Sequence, residues 1–222
     1  MKRQFLVLWF SLLSVLLTAQ STSPERRVTN NVISSERDPA ARIGLPKTAH
    51  YVGADRWVLY DIADCELHAF VESDAEKTVR RLYWVQFEGY VPSRPQLHHT
   101  YDSPKHTTIG GMDFFVDTWV RTKEEPSKSG SDVEHVLALV NAKGYRMPAA
   151  MMYVRLVHLL DEAKRKELMI IYGEDLPSTG FSATDLNEGG KAHDRWPGLA
   201  DALLKRAEGR LRIEAANRQS PK

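Results

Sequence analysis

Long stretches of alternating apolar and polar residues restrict most strongly what this chain can fold into. Residues 79–90 alternate well and are rich in aromatic and β-branched side chains, a pattern typical of a β-strand. Other stretches of extended character are found at 55–62, 66–71, 108–121, 150–160 and 167–172. Because a short charged segment separates the last two stretches, they predict a hairpin, with a helix over 150–168 as the alternative. Gly110 and Gly111 predict a bulge or a close backbone approach inside their strand.

Two segments carry the marks of helices. Ser131 caps the first, apolar residues follow at helical spacing, and Gly144 ends it. The second begins near Pro197 and carries an apolar stripe that reaches Leu211. The order of elements predicts an α+β fold, a curved antiparallel sheet of about six strands with two helices packed against it.

The first twenty residues predict an export signal. Lys2 and Arg3 precede an apolar run over 5–17, and small residues follow it. A retained membrane anchor and a buried helix are the alternatives, but the run is shorter than the roughly 20 residues of a spanning helix. We therefore expect residues 1–20 to be a signal peptide and the protein to be periplasmic or secreted.

The remaining chain is expected to form one domain with flexible ends. Residues 21–47 hold few large apolar side chains and many polar ones, which predicts a disordered leader. Residues 48–214 are long enough for a single α+β domain with its own core. Residues 215–222 are expected to be a flexible tail.

Charge and cysteine content narrow the classes of partner. Removing Lys2 and Arg3 from 30 basic residues leaves 28 against 29 acidic ones. Such a balance argues against nucleic-acid binding, and membrane contact is expected only if the first segment is retained. Cys65 is the one cysteine, so no internal disulfide can form. We expect it to be a small buried residue, with an intermolecular disulfide or a reactive thiol as alternatives.

Several strands carry more polar and tryptophan side chains than a core requires. If these side chains converge, they would line a pocket that is mostly apolar with a few polar groups. The candidate ligand-binding residues are Trp84, Gln86, Glu88, Asp113, Asp117, Trp119, Arg155 and His158. The alternative is a half-solvated sheet face with cross-strand pairs such as Glu88 with Arg155.

No motif predicts a metal, a cofactor or a particular reaction. His98, His99 and His106 lie near one another in one loop but lack the spacing of known metal motifs, so we interpret them as solvated. The long irregular stretch at 173–196 contains serine, histidine and aspartate but no Gly-x-Ser-x-Gly turn. We expect it to be a packed cover over the sheet.

These observations favour an exported domain that binds a small molecule or a protein partner in the cell envelope. One alternative is an exported hydrolase that combines strand carboxylates or a histidine with the 173–196 loop. Another is a structural protein tethered to the membrane by its first segment. An enzyme class is not predicted.

Overall fold

Eleven strands and three α-helices make up residues 23–215, the part of the chain that this computed structural model describes. The predicted signal peptide lies outside the described residues, and so do residues 216–222. The strands are β1 (Arg27–Thr29), β2 (Val32–Ser35), β3 (Ala41–Gly44), β4 (His50–Leu59), β5 (Ala63–Ser73), β6 (Val79–Tyr90), β7 (Lys105–Ile109), β8 (Met112–Thr122), β9 (Ala150–Leu159), β10 (Lys166–Asp175) and β11 (Arg212–Ala215). The helices are α1 (Asp132–Ala142), α2 (Ala183–Leu186) and α3 (Trp196–Arg210).

The strands form two antiparallel sheets. The large sheet has the order β4-β5-β6-β10-β9-β8-β7, and the small sheet has the order β1-β2-β3-β11. The predicted α+β class and antiparallel sheet are confirmed, and β6 has the predicted bounds. The predicted hairpin is also confirmed, since β9 pairs with β10. Within residues 23–215, no helix is both long and apolar enough to cross a membrane.

The two faces of the large sheet bury different sets of side chains, because successive residues of a strand point to opposite sides. Tyr83 and Ile170 belong to the packed face, which lies against the small sheet and α3. Trp84 and Ile171 belong to the opposite face, which lies under α1. We call the second one the cavity face.

Residues 27–44 are not a disordered leader, and this prediction is wrong. They form β1, β2 and β3, and the side chains of Ile33 and Ile43 are fully buried in the core shared with the large sheet. Ile43 is the register partner of both Ile33 and Ile213, so β11 from the far end of the chain completes this sheet. The folded domain therefore begins well before residue 48.

Two smaller predictions also need correction. Gly110 and Gly111 form no bulge, because both have positive φ in the tight turn that joins β7 to β8. The alternative of a close backbone approach is confirmed at Gly110, where a Cβ would clash with the Ile213 carbonyl oxygen. The last helix ends at Arg210, one residue before Leu211, and the chain then extends into β11. Ala215, assigned to the flexible tail, pairs with Ala41 in the small sheet.

Candidate functional site

A cavity of about 500 Å³ lies between the cavity face and the segment that contains α1. The apolar side chains lining it are Leu82, Trp84, Trp119, Val133, Val136, Leu137, Met147, Met151, Tyr153, Met169 and Ile171. They come from β6, β8, β9 and β10 on one side and from α1 and its flanking segments on the other. The cavity is therefore built mainly by regular elements.

The cavity exists because one short helix covers a wide sheet. A seven-stranded sheet is about 30 Å across, while a helix is about 10 to 12 Å in diameter. The α1 helix packs against β4 and β5, where Leu139 approaches Gly53 and the His135 ring stacks on Trp57 with centroids 3.9 Å apart. The neighbouring strands β6, β10, β9 and β8 are left with space above them.

The register of the sheet sets which side chains share this space. Trp84 lies opposite Ile171, which lies opposite Arg155 on the next strand. Trp119 lies opposite Tyr153, and their rings stack with centroids 5.3 Å apart. These cross-strand rows give the floor of the cavity a largely aromatic and aliphatic surface.

Polar groups at the beginning of α1 contribute to the lining. Ser131 is the N-cap of α1, yet its side chain makes no capping hydrogen bond. Within residues 23–215, Ser131 Oγ and Asp132 Oδ1 are buried and have no hydrogen-bond partner. Burial raises the pKa of Asp132, and the negative charge of Glu167 adds to this shift. Both residues therefore have unused hydrogen-bonding capacity beside an apolar space.

A hydrogen-bonded row runs along β6 from the cavity to a group of acids. Trp84 Nε1 donates to Gln86 Oε1 at 2.9 Å, and Gln86 Nε2 donates to Glu88 Oε2 at 3.1 Å. Glu88 lies directly opposite Glu167 on β10. Burial raises the pKa of Glu88 to about 7, with the carboxylates of Glu167 and Asp132 contributing.

His99 joins the two glutamates from the loop before β7. Its Nδ1 lies 2.9 Å from Glu167 Oε2, and the Tyr101 hydroxyl donates to the same oxygen at 2.6 Å. His99 is buried, so our interpretation of it as a solvated histidine is wrong, whereas His98 and His106 are exposed. We call Glu88, His99 and Glu167 the Glu–His–Glu cluster.

The structure brings together six of the eight sequence-predicted site residues. Trp84, Trp119 and Arg155 line the cavity, and Gln86, Glu88 and Asp117 lie on the same face beyond it. The proposed Glu88 to Arg155 pair is wrong. Arg155 instead donates to Asp117 Oδ2 at 2.7 Å, since these two residues are register partners.

Asp113 and His158 do not belong to this group. Asp113 is exposed at the far end of β8 and accepts a hydrogen bond from Thr108 Oγ1 at 2.6 Å. His158 points to the opposite side of the sheet from Arg155 and packs its ring 5.7 Å from that of Phe114. The position of His158 follows from strand alternation, because it is an odd number of residues from Arg155.

The 173–196 segment covers the packed face, as expected for a packed cover. Leu176, Ala183 and Leu186 are buried in the core of that face. Ser182 and Asp185 form a capping box at the start of α2, so their polar groups are satisfied locally. The candidate carboxylates of the cavity face and this segment lie on opposite sides of the sheet, which argues against a hydrolase that combines them, whereas His158 lies on the same side as the segment.

Sequence reasoning missed several residues of the site. The sequence predicted a helix that begins at Ser131 and Asp132 and a strand that begins at Glu167, but it assigned none of these residues to the site. Tyr153 brings a polar hydroxyl into the apolar stretch at 150–160, which is the signal that could have placed it in the site. Glu167 lies four positions before Ile171 on one strand, so alternation alone assigns both to one face.

Cys65 is fully buried and its thiol is free, which confirms the expectation of a small buried residue. Burial raises the pKa of this thiol. A buried thiol of this kind is not a nucleophile at neutral pH.

Comparison of the chain with protein-family models, with curated proteins and with solved structures finds no match. The functional interpretation therefore depends on the chemistry and geometry of the site.

Proposed function

We propose that this protein binds a small, mainly apolar ligand in the cavity under α1. The observation that carries the proposal is a cavity of about 500 Å³ with a floor of Trp84, Trp119, Tyr153 and aliphatic side chains. Ligand sites commonly have volumes of about 300 to 1,000 Å³, an apolar lining and a few convergent polar groups. A concave space of this kind suits a small molecule better than the flat surface of a protein partner.

The polar groups at the start of α1 specify what the ligand should carry. Ser131 Oγ and Asp132 Oδ1 are buried without partners in the described part of the chain. A buried polar atom without a partner costs about 1 to 3 kcal/mol, and a ligand that donates a hydrogen bond to it recovers that cost. We therefore expect an aromatic or aliphatic ligand with an N–H or O–H group.

The proposed place of action is outside the cytoplasm, because residues 1–20 have the pattern of an export signal. Intact-mass measurement of the protein from the cell-envelope fraction tests this part separately. A mass that corresponds to removal of about the first twenty residues supports it. A full-length mass supports the retained anchor instead.

Binding is tested with N-phenyl-1-naphthylamine, a neutral aromatic dye with one N–H donor. We expect one molecule to bind per chain, with a rise in dye fluorescence and quenching of tryptophan emission. Leu137→Trp should fill the cavity from α1 and raise the Kd by about tenfold or more.

Ala138→Trp is the matched control, because Ala138 is the next residue of α1 and is exposed to solvent. It adds the same side chain to the same helix and should leave the Kd unchanged. Equal weakening by both variants, or the absence of saturable binding by the folded wild-type protein, would contradict the proposal. Thermal unfolding of both variants shows whether each remains folded.

A further inference from the structure

Three side chains from different parts of the chain place metal-ligating atoms together beyond the cavity. Glu88 comes from β6, Glu167 from β10 and His99 from the loop that precedes β7. One ligand atom from each lies within 4.8 Å of the other two. His99 and Glu167 are only 6 % and 2 % exposed, whereas Glu88 is half-buried.

The charges of this group are poorly balanced. Glu88 and Glu167 are register partners, so two carboxylates lie side by side on the same face of the sheet. Among the described residues, no lysine or arginine forms an ion pair with either of them, and only His99 lies close enough to do so. Buried carboxylates are unfavourable unless a cation, a proton or hydrogen bonds compensate their charge.

The two ring nitrogens of His99 have different surroundings. Nδ1 faces Glu167, whereas Nε2 is buried and has no hydrogen-bond partner within residues 23–215, so the ring keeps unused ligand capacity. The His99 ring is held by stacking on Tyr90, with centroids 4.4 Å apart. The Tyr101 hydroxyl bonds to Glu167, which is the kind of outer contact that orients a metal-ligating carboxylate.

We infer that the Glu–His–Glu cluster is a binding site for one divalent transition-metal cation of the Zn²⁺ class. Imidazole nitrogen and carboxylate oxygen are both ligand types that Zn²⁺ accepts, and Zn²⁺ sites with three protein ligands keep an open position. A bound cation would neutralise the paired carboxylates. Three protein ligands leave a coordination position for water or another small ligand. The inference does not rest on the proposed apolar ligand, because none of the three residues lines that cavity.

Metal binding is tested on purified protein that has been treated with a chelator and dialysed against Zn²⁺. Elemental analysis should find one Zn²⁺ per chain. His99→Phe and Glu167→Gln should each abolish this stoichiometric binding. Tyr101→Phe should weaken it by roughly 10- to 100-fold, because an outer contact is lost while the ligands remain.

His98→Phe is the matched control, since His98 is the exposed neighbour of His99 in the same loop. It should bind one Zn²⁺ like the wild type. Loss of binding in this control would overturn the inference, and so would the absence of Zn²⁺ binding by the wild-type protein at micromolar concentration.

Zinc K-edge absorption of the wild-type complex tests the site without depending on the folding of any variant. The expected first shell contains oxygen and nitrogen at about 2.0 to 2.2 Å, with one imidazole and no sulfur. A shell with two or more imidazoles would place the metal elsewhere and would overturn the inference.

Discussion

The two faces of the large sheet are covered in different ways. The packed face lies against a second sheet, α3 and the 173–196 segment, and its core includes Tyr83 and Ile170. The cavity face is covered by α1 and irregular segments, and it keeps a space of about 500 Å³ above Trp84. The same strands thus build a closely filled core on one side and a candidate binding site on the other.

Glu66 on one face, which is buried, and Glu88 on the other, which is half-buried, show the same contrast. On the packed side, burial alone would raise the pKa of Glu66, but hydrogen bonds from His68 and from the backbone N–H groups of Glu25 and Arg26 lower it to about 2. On the cavity side, burial and neighbouring acids raise the pKa of Glu88 to about 7. Glu66 is stabilised by partners within the fold, whereas Glu88 has few, as is common at functional sites.

We expect the largest effect from deleting strands of the small sheet, which covers the packed face. A chain that starts at residue 48 lacks β1, β2 and β3, which leaves the apolar surface under Ile33 and Ile43 exposed to water. We expect it to lose cooperative thermal unfolding, measured by far-UV circular dichroism. Deletion of residues 1–20 alone is the control and should preserve the transition. Cooperative unfolding of the shorter chain would show that the small sheet is dispensable.

Two adjacent isoleucines on β10 point to opposite faces of the large sheet. Substituting each in turn compares how closely the two faces are packed. Ile170 is buried in the packed face, whereas Ile171 lines the cavity. Ile170→Ala should lower the free energy of unfolding by about 4 kcal/mol and Ile171→Ala by about 2 kcal/mol, because the second side chain already borders empty space. Urea unfolding measures both values. Equal losses would mean that the two faces are equally well packed.

The pH dependence of stability tests the partners of Glu66. Its folded-state pKa of about 2 lies below the usual 4.5, so its contribution is complete above pH 4.5 and is lost as the pH falls towards 2. The stability difference between wild type and Glu66→Gln should therefore shrink by up to about 3 kcal/mol over this range. Urea unfolding at a series of pH values measures it.

The exposed Glu162 supplies the control for this experiment. Glu162→Gln should follow the wild-type pH profile. If the wild-type and Glu66→Gln curves remain parallel down to pH 2, the lowered pKa of Glu66 would be contradicted.

Local patterns in the sequence predicted the strands of the large sheet. They did not predict the small sheet that packs against those strands. The alternation over 79–90 gives the bounds of β6, and the apolar stretches on either side of 161–166 give the β9–β10 hairpin. These features depend on neighbouring residues. The small sheet was missed because β1, β2 and β3 have only three or four residues each within a mostly polar segment, and because β3 also pairs with β11, about 170 residues further along the chain.

Only part of the candidate site could be predicted, because the sequence pattern of a strand does not show what packs against it. Alternation places Trp84 and Glu88 on one face of β6 without showing whether a helix, a sheet or water covers that face. His158 was grouped with Arg155 although alternation separates them. His99 could not be recognised, because its burial depends on the path of an irregular loop against Tyr90 and Glu167.

The methionine methyl groups test most directly the central claim that the cavity face is the binding face. Met147, Met151 and Met169 line the cavity, while Met112 and Met152 are buried in the packed face. With ¹³C-methyl methionine and N-phenyl-1-naphthylamine as the ligand, NMR should show saturable shifts of the first three signals and little change in the other two. Shifts that are confined to Met112 and Met152, or equal in both groups, would contradict the claim.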